Sequence, residues 1–218
     1  MKVISVSDLK KRNILDEIVS HLDSDGLLIY PTDTLYGIGC NLFSLEAQDK
    51  IDVLKGREDV PYSAAIPGLE YLKDLTSGPL DLFDLFSKTG SFSMMTFLFR
   101  INKNIDKKFV KYNSLIGIRI FNEGPLKELL ALTGSPLITT SVNSTGEQPL
   151  NSPETIRDFA NRSEFSEDII FIDNGSLPDS KGSTIVDLSG DEIKIVREGD
   201  NFSKVMEIIS KQTDNNDL

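Results

Sequence analysis

Apolar positions recur along the chain with two alternating periods, one helical and one strand-like. Leu9, Ile14, Leu15, Ile18, Val19 and Leu22 share one side of a helix expected over residues 8–22, capped by Ser7 and ended near Gly26. A short β run over residues 27–30 follows at once. Ser44 opens a second helix in which Ala47, Ile51 and Leu54 keep helical spacing until Gly56, which puts Lys55 and Arg57 at its exit. Further strand-like runs stand at 63–66, 94–101, 116–121, 137–140, 169–172, 184–188 and 193–196. Helical stretches at 68–75, 80–87, 125–132, 153–160 and 202–210 alternate with them. That mixture predicts a layered α/β fold. No repeat or low-complexity linker divides the chain, so residues 1–210 are expected to form one domain and 211–218 a polar, acidic, frayed tail.

Composition narrows the class. A chain of 218 residues, 39% hydrophobic and 26% charged, can bury a sizeable core and fold alone. Its longest apolar run, residues 94–99, is broken by Thr96 and falls far short of the roughly 20 residues needed to span a bilayer. With no apolar leader near the start and one cysteine, Cys40, the expectation is a cytoplasmic protein without a membrane span. The 23 basic residues against 34 acidic ones leave a net charge of −11, which argues against a general nucleic-acid coat. One strip is different: residues 100–119 hold six basic residues (Arg100, Lys103, Lys107, Lys108, Lys111 and Arg119) against Asp106 alone. A single histidine, His21, and a single cysteine exclude HExxH, a Cys/His zinc set and a Ser-His-Asp triad with a spare partner.

Four loop segments set small, hydroxyl-bearing or cationic side chains directly after apolar strands, where open α/β sheets hold ligands. They are PTDTLYGIG (31–39), KGR (55–57), GIRIF (117–121) and TTSVNSTGEQP (139–149). Such hydroxyls and main-chain amides can take a phosphate or carboxylate without a P-loop, and no GxxxxGK[ST] occurs. Each segment also has a plainer reading. Thr32 and Asp33 can form a hydroxyl- or carboxylate-capped turn, Ser141 and Asn143 can be turn formers, and Lys55 and Arg57 can complement a helix dipole. Arg119 is harder to dismiss, because it lies between Ile118 and Ile120 and a half-buried guanidinium requires an anion, from a ligand or from an internal Asp or Glu. His21 reads as a boundary residue and Cys40 as a small buried hydrophobe.

Taken in order, PTDTLYGIG, LKGR (54–57), GIRI (117–120), TTSVNSTGE (139–147) and GSTIVDLSGDEIKIVREG (182–199) closely resemble the threonylcarbamoyl-AMP synthase family, the YrdC-type domain. The resemblance runs over residues 9–209 and includes the family's paired Lys-x-Arg and Ser-x-Asn. It implies a twisted mixed β-sheet flanked by helices around a substrate cleft. It also implies synthesis of threonylcarbamoyl-AMP and pyrophosphate from L-threonine, bicarbonate and ATP, with magnesium accompanying ATP and no metal held by the protein itself. The product would serve threonylcarbamoyladenosine modification of tRNA through a separate transferase, with no tight tRNA binding by this chain. Carried over residue by residue, Thr32, Arg119 and Thr139 match threonine-binding positions. Lys55, Arg57, Ser141, Asn143 and Arg197 match positions around ATP, the first four of them catalytic.

The chain departs from the family pattern in places. Glu58, Asp59 and Val60 follow the arginine where a proline is usual, Ala64, Ala65 and Ile66 stand where a histidine often lines the threonine pocket, and Leu115 replaces a hydroxyl residue that Ser93 or Ser114 could supply. Two alternatives stay open: a non-enzymatic RNA-binding or ribosome-associated member of the fold, favoured by the basic strip, and a paralogue with another small-molecule reaction.

Overall fold

The computed structural model describes residues 1–56, 62–77, 80–90, 92–102, 105 and 115–216. Its strands are β1 (Lys2–Ser5), β2 (Leu27–Pro31), β3 (Tyr36–Gly39), β4 (Ser63–Ile66), β5 (Thr76–Ser77), β6 (Met95–Ile101), β7 (Leu115–Ile120), β8 (Leu137–Ser141), β9 (Ile169–Asp173), β10 (Thr184–Asp187) and β11 (Lys194–Arg197). Its α-helices are α1 (Arg12–Asp23), α2 (Leu45–Lys55), α3 (Tyr71–Leu75), α4 (Asp81–Thr89), α5 (Pro125–Thr133), α6 (Pro153–Asn161) and α7 (Phe202–Asn216).

Local chemistry explains where these elements start and stop. The Ser44 hydroxyl accepts from the Ala47 amide at 3.0 Å, and Gly56 closes α2 in the left-handed conformation that a residue without Cβ adopts cheaply. Helix α6 repeats the plan with Ser152 as cap and Pro153 in the first turn. The first helix departs from expectation. Ser5, not Ser7, caps a 3-10 turn over Val6–Lys10, and the extended backbone of Lys11 separates it from α1. Strand β3 is a second departure, because residues read as loop pair on both sides. The polar segment from 211 continues α7 as far as Asn216.

The strands form one mixed sheet in the order β1-β9-β2-β3-β8-β4-β7-β6-β10-β11, with β5 on the edge of β6. Alternate residues of β2 point to opposite faces: Leu27 and Ile29 join the core beneath α2, α4, α6 and α7, while Leu28 and Tyr30 join the core beneath α1 and α5. The result is the layered α/β architecture of a sheet covered on both sides. Cys40 is fully buried, and His21 bonds the Leu27 carbonyl at 3.1 Å through Nε2. Among the described residues no helix is long and apolar enough to cross a membrane.

The centre of the sheet positions the site. Strand β8 pairs with β4 through Leu137, Ile138 and Thr139 and with β3 through Thr140 and Ser141, so pairing passes from one neighbour to the other along five residues. That hand-over requires close backbones. A Cβ on Gly39 would stand 1.9 Å from the Ile138 carbonyl oxygen, a distance no side chain tolerates.

Candidate functional site

A cleft of about 200 Å³ opens at this seam, lined by residues from β3, β4, β6, β7, β8, β10 and β11 and from the loops beside them. Thr32, Ser63, Thr96, Thr139, Ser141 and Ser183 bring hydroxyls to its lining; Arg119, Lys181 and Arg197 bring cations. Thr32, Arg119, Thr139, Ser141 and Arg197, five of the residues singled out in the sequence, therefore converge although they lie up to 165 positions apart.

The turn after β2 is capped by its own threonine. The Thr32 hydroxyl donates to the Leu35 carbonyl at 2.6 Å and accepts from the amides of Leu35 and Thr34 at 3.1 and 3.2 Å. Asp33 at its apex faces away from that cap. One carboxylate oxygen pairs with the Arg119 guanidinium and the other accepts from the Met94 amide at 2.5 Å and the Ser93 hydroxyl at 3.3 Å. Arg119 is 8% exposed, lies 4.8 Å from the centroid of the Phe121 ring, and keeps Nε buried without a partner among the described residues. Its apolar setting thus has an internal carboxylate on one edge and unsatisfied donor capacity besides.

Arg197 approaches from the other side. Its guanidinium donates to the Ser183 carbonyl at 2.8 Å through Nη2 and to the Ser183 hydroxyl at 3.2 Å, and Ser183 in turn shares a 2.7 Å hydrogen bond with Thr96. Burial first, and then the nearby Arg119 charge, hold Arg197 below the ordinary arginine value, with Asp200 acting the other way. Two guanidiniums that repel each other across one small cleft make a place for an anion. Gly199, after Arg197, permits the close approach: a Cβ there would sit 2.3 Å from the Gly182 carbonyl oxygen.

Lys55 and Asn143 stand behind the wall rather than on it. Lys55 is 4% exposed, and its ammonium donates to the carbonyls of Ser141 and Asn143 at 2.5 and 2.9 Å and to Asn143 Oδ1 at 3.1 Å. Ser141 donates to the same Oδ1 at 2.5 Å, while Asn143 Nδ2 donates to the carbonyls of Ser144 and Glu147. The end of α2 and the Ser-x-Asn segment are thereby one buried polar network. Arg57 lies outside the described residues, as do Lys103, Lys107, Lys108 and Lys111 of the basic strip and Ser114. Arg100, at the strip's start, donates to the Ser189 carbonyl at 2.7 Å.

Sequence reasoning passed over Ser63, Thr96, Lys181 and Ser183. Thr96 carried a signal, a hydroxyl interrupting the most apolar run of the chain; Lys181 and Ser183 carried another, a Lys-Gly-Ser immediately before a strand. Among the described residues no group of three or more His, Cys, Asp or Glu could hold a metal.

A protein-family model for Sua5, YciO and YrdC, described as telomere recombination, matches residues 20–199. The chain belongs to the Sua5/YciO/YrdC family. Its likeness to members of the family is spread over most of its length. The threonylcarbamoyl-AMP synthase of Wigglesworthia glossinidia brevipalpis is 29% identical over 204 residues, covering 91% of this chain and 100% of that protein. Escherichia coli YciO, an uncharacterised protein, is 26% identical over 195 residues, covering 88% of this chain and 92% of YciO. The YciO crystal structure matches with a TM-score of 0.74 over 87% of this chain. The crystal structure of Pyrococcus abyssi Sua5 complexed with L-threonine shares the fold, with a TM-score of 0.78 at 20% identity over 89% of this chain. This chain spans 57% of that longer Sua5.

Proposed function

We propose that this family member is an L-threonylcarbamoyladenylate synthase, a nucleotidyltransferase that makes threonylcarbamoyl-AMP and pyrophosphate from L-threonine, bicarbonate and ATP. The observation that carries the reading is the pair of guanidiniums, Arg119 and Arg197, facing one hydroxyl-lined cleft, with Asp33 the only carboxylate among the described residues hydrogen-bonded to either. A ligand with two anionic ends, a carboxylate and a phosphate, matches that layout. The family relationship to a named synthase supports it.

The chemistry asks little of acid-base side chains. The threonine amine attacks bicarbonate and water leaves, giving a carbamate; a carbamate oxygen then attacks the α-phosphorus of ATP and expels pyrophosphate. Positioning and charge stabilisation supply most of the catalysis in such a sequence. Arg119 would hold the threonine carboxylate, with Thr139 and Thr32 shaping the pocket around it. Arg197, and Ser141 across the cleft, would face the nucleotide, while Lys55 and Asn143 would keep the Ser141 segment in place. Arg57 would complete the phosphate contacts. Magnesium would arrive as the complex of ATP, whose phosphates and water supply most of its oxygens.

The decisive assay incubates the pure protein with ATP, bicarbonate and threonine and follows pyrophosphate and the labile adenylate. Release that requires threonine and bicarbonate together is the expected result. A second reading, a paralogue acting on another small anion, draws on the comparable identity to YciO and on the engagement of Lys55 within the wall. Nucleotide turnover that proceeds equally well without threonine would favour it. The adenylate would pass to a separate, cytoplasmic tRNA-modifying transferase.

A further inference from the structure

We propose that Asp33 positions Arg119, setting the direction from which its guanidinium meets a carboxylate ligand. The ligand's identity as threonine rests on the synthase reading; the positioning does not.

Asp33 is fixed before it meets Arg119. The Thr32 hydroxyl closes the turn beneath it, and its second oxygen is tied to Met94 N–H at 2.5 Å and to Ser93. Met94 is itself held in the left-handed region at φ 58°, which a residue with a Cβ seldom adopts, by that bond and by Thr184 N–H on its carbonyl at 2.8 Å. Asn201 Nδ2 secures the adjoining Ser93 carbonyl at 2.9 Å. The carboxylate is therefore a rigid fixture bridging three segments, and Arg119, on a long side chain, takes its orientation from it. Phe121 supports one face of the guanidinium. Two opposing effects follow from the pair. Asp33 offsets part of the charge that attracts an anion, yet without it the buried guanidinium would face the repulsion of Arg197 with no hydrogen-bonded carboxylate among the described residues. Orientation dominates, because a carboxylate bound through a guanidinium edge depends on planar register as well as on charge.

Asp33→Asn isolates this role. Its remaining oxygen can keep the Met94 and Ser93 bonds, while its amide sets a donor against the donors of Arg119. The Arg119 Nε–Hε signal, assigned by its loss in Arg119→Ala, is read by nitrogen-15 NMR. In Asp33→Asn that proton should exchange with water about tenfold faster while the Met94 amide keeps its protection. The dissociation constant for L-threonine should rise about tenfold with that for ATP changed less than about threefold, and Asp33→Asn should add nothing to the loss in Arg119→Ala. Unchanged Nε exchange, or additive losses in the double variant, would overturn the proposal. If the unaltered protein takes up no threonine, the synthase reading fails, and Nε exchange alone decides for or against Asp33.

Discussion

The ammonium of Lys55 lies 2.9 Å from the main-chain oxygen of Asn143 and 3.1 Å from its side-chain oxygen, so a cation at the end of α2 grips the loop that follows Ser141 at the end of β8. A charge at a helix exit by itself contributes only about 0.3–1 kcal/mol to folding. Burial changes that figure. Lys55→Met leaves carbonyls without donors and should cost about 2–4 kcal/mol in chemical denaturation, with turnover falling alongside. Normal melting with lost turnover would return Lys55 to a direct phosphate contact.

Arg119→Ala should weaken threonine binding by about tenfold or more and ATP binding much less, because its guanidinium, buried beside Thr32 and Thr139 in the cleft, is the cation proposed to meet the threonine carboxylate. Arg119→Lys should recover only part of the loss, since an ammonium lacks the planar fork. Calorimetric titration with each substrate reads the difference. Equal losses for both would mark a shared structural role.

Tyr30 introduces a dependence on alkaline pH. Burial pushes its phenol above the ordinary value of 10, against the lowering influence of Thr139 and Arg119. As pH rises past 10 the unfolded chain releases the Tyr30 proton while the folded chain retains it. Folded protein then binds more protons, and stability falls with rising pH over that interval. Urea midpoints at several values from pH 8 to pH ~11 should decline more steeply for the unaltered protein than for Tyr30→Phe. Parallel slopes would show that Tyr30 does not contribute.

Gly39→Ala should cost about 3 kcal/mol or more, because the new methyl group meets the Ile138 carbonyl at the β3–β8 seam. Gly190→Ala, where a Cβ meets nothing within 4 Å, is the matched control and should be nearly neutral. Thermal melts of the two variants side by side settle the comparison.

The chain should not hold tRNA tightly. Phosphate neutralisation drives such binding, and a net charge of −11 opposes it within a Debye length of about 8 Å at physiological salt. Polarisation titrations check this directly. Sub-micromolar affinity lost on charge reversal at Lys107, Lys108 and Lys111 would promote the RNA-binding alternative.

How much of this was legible before the fold was known depends on the range of the signal. Helix α2 could be read from Ser44 to Gly56 because its cap, its apolar spacing and its stop are all local. Strand β3 could not: Tyr-Gly-Ile-Gly lacks the β-branched run of a strand, and its extended form comes from the two partners that close on its glycines. At α1 the expected cap, Ser7, falls inside a 3-10 turn that Ser5 caps, and α1 itself begins after Lys11 without a side-chain cap. Arg119 advertised itself as a charge in an apolar strand, but its partner Asp33 lies 86 positions away and no spacing rule reaches that far. Lys55 was visible as a cation at a helix end, whereas its grip on Asn143 exists only after β8 has been placed beside α2.

The lone thiol gives the seam a clock. Cys40 sits at the end of β3 with no exposed surface, and its carbonyl accepts from the Ile138 amide at 2.8 Å. A thiol-reactive dye in excess can therefore modify it only when β3 and β8 part or the core opens, so the labelling rate measures the frequency of that opening. A ligand seated against Thr139 and Ser141 would slow the reaction, which turns a residue without chemistry of its own into a reporter for occupancy of the cleft.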